Sequence, residues 1–130
     1  MSIDREVRSD RPVHPRVEYL AGDSADPKTL EAVRARVAPG ARVLVILDSD
    51  HSRDHVLAEL RAYGELVGLG SYCVVEDSNL NGHPVAQKFG PGPMEAIRAF
   101  LAENDAFEVD RSREKFYLTF NPSGFLKRVK

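Results

Sequence analysis

Acidic residues fall in two short groups, Asp48 with Asp50 and Glu76 with Asp77, and each group directly follows an apolar run, VLVIL before the first and YCVV before the second. In open α/β sheets, ligands bind outside the carboxyl ends of the strands, so two such runs side by side would bring up to four carboxylates to one rim. Like charges placed there repel unless a cation joins them. A hard divalent ion such as Mg2+ takes oxygen ligands and keeps several waters, which suits three carboxylates and an open coordination edge. A plainer role is available to each pair alone: Asp48 or Asp50 capping the next helix, and Glu76-Asp77 as a solvated strand end. His51 stands three residues after Asp48, at a helix start, where an imidazole can take a proton from a substrate hydroxyl. An exposed helix-start histidine is the competing reading.

Other residues stand where a nucleotide could be held. Asp4 ends the short run Ser2-Ile3-Asp4, the place from which acidic residues hydrogen-bond a ribose in dinucleotide folds. Gly22-Asp23-Ser24 follows a second strand candidate and is placed to contact an adenine, with a plain turn as the alternative. Asp48-Ser49-Asp50 also matches the Asp-x-Asp pattern with which metal-dependent glycosyltransferases hold a nucleotide-sugar diphosphate, although that pattern is short and common. His55 reads as part of a helix surface, His14 and His83 sit in loops with no assigned role, and Arg111, Arg113, Glu114 and Lys115 read as a solvated face.

The elements that must position these residues alternate. Residues 2–4 and 17–20 read as strands, joined by a charged, proline-containing connection. Asp26 as N-cap and Pro27 at the first helical position open a helix that carries Leu30, Val33 and Val37 and stops at Pro39-Gly40. Residues 42–48 lack polar alternation, which predicts a central parallel strand buried on both faces. Val56, Leu57, Leu60, Tyr63 and Val67 recur at helical period, and residues 72–75 form another buried strand. Residues 78–93, with Gly82, Gly90, Gly92 and three prolines, predict a long irregular loop of the kind that is often functional. A helix opening at Pro93 then carries Met94, Ile97 and Leu101, and two β-rich pieces follow at residues 107–110 and 116–120, ahead of Gly124-Phe125-Leu126. This succession predicts an α/β fold with a mainly parallel sheet.

With 130 residues, 42% apolar, the chain is expected to form one domain with a real core. Eighteen Lys and Arg against 20 Asp and Glu leave a net charge of -2, which lacks the basic footprint of a nucleic-acid binder. The longest apolar run, residues 43–47, falls far short of the roughly 20 residues a membrane helix needs. The N-terminus has no signal-peptide core, so a cytoplasmic location is expected. The single cysteine, Cys73, sits within an apolar strand candidate, which excludes an internal disulfide and predicts a buried small hydrophobe.

The stretches VLVILDSDHSRDHVLAEL, GSYCVVEDSNLNGHP, FGPGPMEAI and DRSREKFYLTFNPSGFLKR, which together span most of residues 42–129, resemble the cephalosporin hydroxylase and rhamnosyl O-methyltransferase family. That family is a branch of the class I S-adenosylmethionine-dependent methyltransferases, with a Rossmann-like sheet. The resemblance implies Mg2+ bound by Asp48, Glu76 and Asp77, with Asp48 favoured over Asp50 as ligand, and His51 as the base where relatives usually carry a lysine. It implies S-adenosylmethionine as methyl donor, with Asp4, Gly22, Ser24 and Asp48 as cofactor-binding residues, and a hydroxyl on a sugar or small secondary metabolite as acceptor.

It further implies a chain that starts at the second strand of the family's sheet, as the C-terminal portion of a methyltransferase domain. Loss of a first strand that lies between the second and the fourth would uncover two strand edges, inviting a second copy or a complementing chain. Two other readings stand beside active methyl transfer: a metal-dependent glycosyltransferase using Asp48-Ser49-Asp50, and an inactive or partner-dependent remnant that docks through the uncovered edges.

Overall fold

A computed structural model of the chain describes residues 1–6, 8–116 and 118–130, and shows two compact units, Met1–Ala38 and Pro39–Lys130. Val7, in the predicted connection, and Tyr117, in the predicted β-rich piece 116–120, lie outside the described residues.

In the first unit, β1 (Ser2–Asp4) and β2 (Tyr19–Ala21) pair in parallel, with Ile3 opposite Leu20. The second strand is shifted slightly from the predicted residues 17–20 toward Gly22. Arg11 fastens the connection between the strands, ion-pairing with Asp4 at 2.6 Å and lying over the Tyr19 ring at 5.0 Å. Helix α1 (Pro27–Arg34) starts as predicted: the Asp26 carboxylate accepts the Lys28 N–H at 2.8 Å, and proline fills the first turn, where its missing N–H costs nothing. Val33 is the buried residue of this helix.

The second unit carries β3 (Val45–Leu47), α2 (Arg53–Gly64), β4 (Tyr72–Val75), α3 (Pro93–Glu103), β5 (Phe107–Val109), a 3-10 turn at Arg111–Arg113, and β6 (Phe125–Arg128). Its sheet runs β3-β4-β6-β5: β3 and β4 are parallel, while β6 is antiparallel to both β4 and β5. The expectation of a mainly parallel sheet is therefore corrected to a mixed one. The reason lies in the C-terminal segment: β5 and β6 form a long hairpin, which returns the chain without a crossover helix. The described residues of the predicted piece 116–120 form no strand, and the strand begins instead at Phe125.

Helices α2 and α3 pack on each other, with Leu60, Val67, Cys73, Val75, Ala96, Ile97, Phe100 and Leu126 in the core. The Phe100 and Phe107 rings meet edge to face-like at 5.4 Å and 56°. The prediction that residues 42–48 form a strand buried on both faces is also corrected. Only Val45–Leu47 pair as strand, β3 ends the sheet of its unit, and Leu44 and Ile46 are 56% and 57% exposed while Leu47 is buried. Alternating exposure is what a strand shows when helices cover one of its faces. No helix among the described residues is long and apolar enough to cross a membrane.

Candidate functional site

The register of β3 on β4, with Leu47 opposite Val75, sets Asp48 beside Glu76 at the carboxyl ends of two parallel strands. The Glu76 N–H donates to the Leu47 carbonyl at 3.0 Å, which carries the pairing one step beyond the strands. His51 Nε2 lies 3.4 Å from Asp48 Oδ1 and 3.5 Å from Asp77 Oδ2. One ligand atom from each of Asp48, His51 and Asp77 falls within 4.8 Å of the others. Glu76 is outside that trio, but its carboxyl feels it. Partial burial raises the Glu76 pKa above its ordinary value, the charges of Asp48 and Asp77 raise it further, and His51 pulls the other way. Such mutual repulsion is what a bound cation relieves, so the donor set fits a hard divalent ion.

Asp50 is occupied differently. Its Oδ1 accepts the Ser52 N–H at 2.8 Å, and so caps α2 in place of the Ser52 side chain, which makes no cap bond. The two aspartates of Asp48-Ser49-Asp50 thus divide their work, one facing the acidic cluster and one holding a helix start.

The opposite side of the site is strapped by the C-terminal segment. Asp77 has a left-handed backbone, φ 51°, a conformation that aspartate tolerates better than most residues. Its N–H donates to Asn121 Oδ1 at 3.0 Å. Buried Ser78 donates its hydroxyl to the Pro122 carbonyl at 2.7 Å, and the Asn79 N–H reaches the Phe120 carbonyl at 3.1 Å. Gly124 makes this approach possible, because a Cβ there would run into the Val75 carbonyl oxygen. Sequence reasoning passed over Asn121; the Asn-Pro pair that marks a turn at Asn121-Pro122 was the available signal.

The irregular loop 78–92 returns to the same place. The Pro91 carbonyl accepts the Arg53 N–H at 3.0 Å, and a Cβ on Gly92 would sit 3.4 Å from the His51 carbonyl oxygen and 3.5 Å from the Phe89 ring. Glu95, in the first turn of α3, holds the loop: Oε2 accepts the Gly92 N–H at 2.7 Å, and Oε1 meets His83 Nε2 at 2.8 Å and the Asn81 amide at 3.3 Å. Partial burial works to raise the Glu95 pKa, but those hydrogen bonds outweigh it and hold the carboxyl at about 2. His83, to which the sequence assigned no role, is therefore part of this clamp.

In the first unit, Asp4 and Gly22 stand side by side at the ends of β1 and β2, the Gly22 N–H donating to the Asp4 carbonyl at 2.9 Å. The Asp4 carboxylate already holds Arg11 and the Glu6 N–H. Gly22 lies against α1, where a Cβ would meet Thr29 Oγ1 at 2.5 Å, and Ser24 follows in the turn before that helix. Elsewhere, Cys73 is buried as expected, and burial followed by the charge of Glu59 pushes its thiol up to about 12. The basic run is more than a solvated face. Arg113 lies over the Tyr72 ring at 5.3 Å, and Asp110 accepts the Tyr72 hydroxyl at 2.5 Å.

Residues 1–129 match the model of the family described as rhamnosyl O-methyltransferase/CmcI. Over 118 residues the chain is 48% identical to a rhamnosyl O-methyltransferase of Mycobacterium tuberculosis, covering 88% of this chain and 48% of that protein. It is 46% identical to one of Mycobacterium leprae, covering 88% and 51%. The chain thus spans about half the length of these relatives. Its fold is similar to that of MycE methyltransferase from the mycinamycin biosynthetic pathway, solved in complex with Mg and SAH. The TM-score is 0.63 at 19% identity, covering 98% of this chain and 36% of that one. A complex of the same protein that also holds mycinamycin VI gives a TM-score of 0.60 at 18% identity.

Proposed function

Because the chain belongs to the rhamnosyl O-methyltransferase/CmcI family, we propose that it forms part of a methyltransferase domain that carries out Mg2+-dependent O-methyl transfer from S-adenosylmethionine to a hydroxyl of a sugar or small secondary metabolite. The observation that carries this reading is the convergence of Asp48, His51 and Asp77 on one rim of the sheet. When bound, Mg2+ would acidify the acceptor hydroxyl and S-adenosylmethionine would supply the methyl group.

Asp48, Asp77 and the neighbouring Glu76 supply the oxygen ligands. His51 Nε2, 3.4 Å from Asp48 Oδ1 and 3.5 Å from Asp77 Oδ2, accepts the acceptor's proton. The loop 78–92, fixed by Glu95, lies beside the His51 backbone. Asp4 takes the ribose hydroxyls, with Gly22 and Ser24 along the adenine edge. Asp4 keeps room for this, since each carboxylate oxygen can accept a second hydrogen bond. A second copy or a complementing chain would lie along β3, which pairs only with β4 among the described residues. The glycosyltransferase alternative draws no support from the family match, which is to O-methyltransferases.

Calorimetric titration of S-adenosylmethionine into the folded chain, with and without Mg2+, tests the cofactor reading. Saturable binding is expected, and a folded sample that takes up no cofactor would overturn it for this chain. Asp48→Ala and Glu76→Ala are expected to abolish Mg2+-dependent transfer while leaving the circular dichroism spectrum intact. Unchanged transfer would remove the metal assignment.

A further inference from the structure

Glu59, in the middle of α2, is 2% exposed, and its Oε2 has no hydrogen-bond partner among the described residues. It shares its helix face with Val56, Leu60 and Tyr63, and its charge acts on the buried Cys73 thiol. An apolar residue there would avoid the desolvation that a half-satisfied carboxylate carries. A cost of that kind, kept in a core, points to a use.

The use is visible at Oε1, which accepts the Ser49 hydroxyl at 2.8 Å. Ser49 is the residue between Asp48 and Asp50, on the loop that presents Asp48 to the acidic cluster. His55 Nε2 lies 3.6 Å from Glu59 Oε1, one turn earlier on the same helix. Asp48 is therefore held from both sides. Before it, the Leu47 carbonyl takes the Glu76 N–H at 3.0 Å; after it, Ser49 is tied to the core.

We propose that Glu59 is a positioning residue that, through the Ser49 hydroxyl, holds Asp48 in place for a divalent cation. This rests on the metal reading proposed above. Asp48, Glu76 and Asp77 repel one another, and the Asp48 side chain is largely exposed, so an untethered loop would swing outward and part the ligand atoms. A hydrogen bond to a buried carboxylate resists that motion more strongly than one in water. It orders the ligand loop during folding rather than at the moment of binding. Partners of this outer kind typically change metal affinity by about 10- to 100-fold when removed.

Mn2+ titration followed by the electron paramagnetic resonance signal of the free ion tests the proposal without requiring turnover. The parent chain is expected to bind saturably, and Ser49→Ala to bind about tenfold more weakly. Ser49→Thr keeps the hydroxyl and Glu59→Gln keeps an acceptor oxygen, so both are expected to bind close to the parent. A merely structural Glu59 would lower the melting temperature of Ser49→Ala and leave its Mn2+ affinity unmoved. Ser49→Ala binding as tightly as the parent, while Asp48→Ala does not bind, would overturn the proposal and leave the metal reading standing. A folded parent that binds no Mn2+ would overturn both. Ser49 lies on an exposed loop, so its variants keep the test decisive even if Glu59→Gln fails to fold.

Discussion

Glu95→Gln isolates one charge in the clamp on the loop beside the candidate site. The glutamine oxygen can still accept the Gly92 N–H while its amide group meets His83, so the substitution removes the negative charge together with the long Asn81 hydrogen bond. The Glu95 carboxyl lies at about 2 in the fold against an ordinary 4.5. At about 1.4 kcal/mol per pH unit, that gap sets a ceiling of about 3 kcal/mol. With 24% of the side chain exposed, solvent screening reduces the expected figure to about 2 kcal/mol.

The sign follows from the depressed carboxyl. Folding is stabilised above the unfolded pKa near 4.5, and that stabilisation is lost as the pH falls from there through about 2. Urea denaturation of the parent and Glu95→Gln, run in parallel from pH 7 down to pH 2, reads the difference directly. The parent is expected to be more stable by about 2 kcal/mol at pH 7, with the gap closing between about pH 4.5 and pH 2. A gap that stays constant across that range, or that is absent at pH 7, would refute the assignment of the low pKa to the clamp.

Other outcomes follow from the same geometry. His51→Ala is expected to slow methyl transfer by about 10²- to 10⁴-fold with S-adenosylmethionine affinity retained, and an equal loss in both would argue against a base. Gly124→Ala is expected to destabilise the second unit by about 3 kcal/mol in denaturant melts, because the new Cβ meets strand backbone that cannot step aside. Stability unchanged from the parent would contradict the close approach to Val75. The same change is expected to weaken Mn2+ binding by disturbing Asn121, the partner of the Asp77 N–H.

Local patterns made much of this protein legible. Asp26-Pro27, the spacing of Val56, Leu57, Leu60 and Tyr63, and the apolar run before Glu76 fix the start of α1, the buried face of α2 and the position of β4, because each depends on free energies exchanged within a few residues. The same runs placed Asp48, Glu76 and Asp77 at strand ends and His51 at the helix start that follows.

What brings those residues together is decided across distance. The pairing of Leu47 with Val75 sets Asp48 beside Glu76, and a slip of one residue would turn their side chains to opposite faces. Only the fold assigned Asp50 to a helix cap, gave Asp77 its anchor on Asn121, and exposed Ile46 where a doubly buried strand was expected. It also brought Ser49 onto Glu59 and His83 onto Glu95. Composition and period report which residues favour burial and which turns are cheap. Register, and the partner that satisfies each polar group, emerge only when segments far apart in the chain share one core and every buried donor and acceptor competes for the groups within reach.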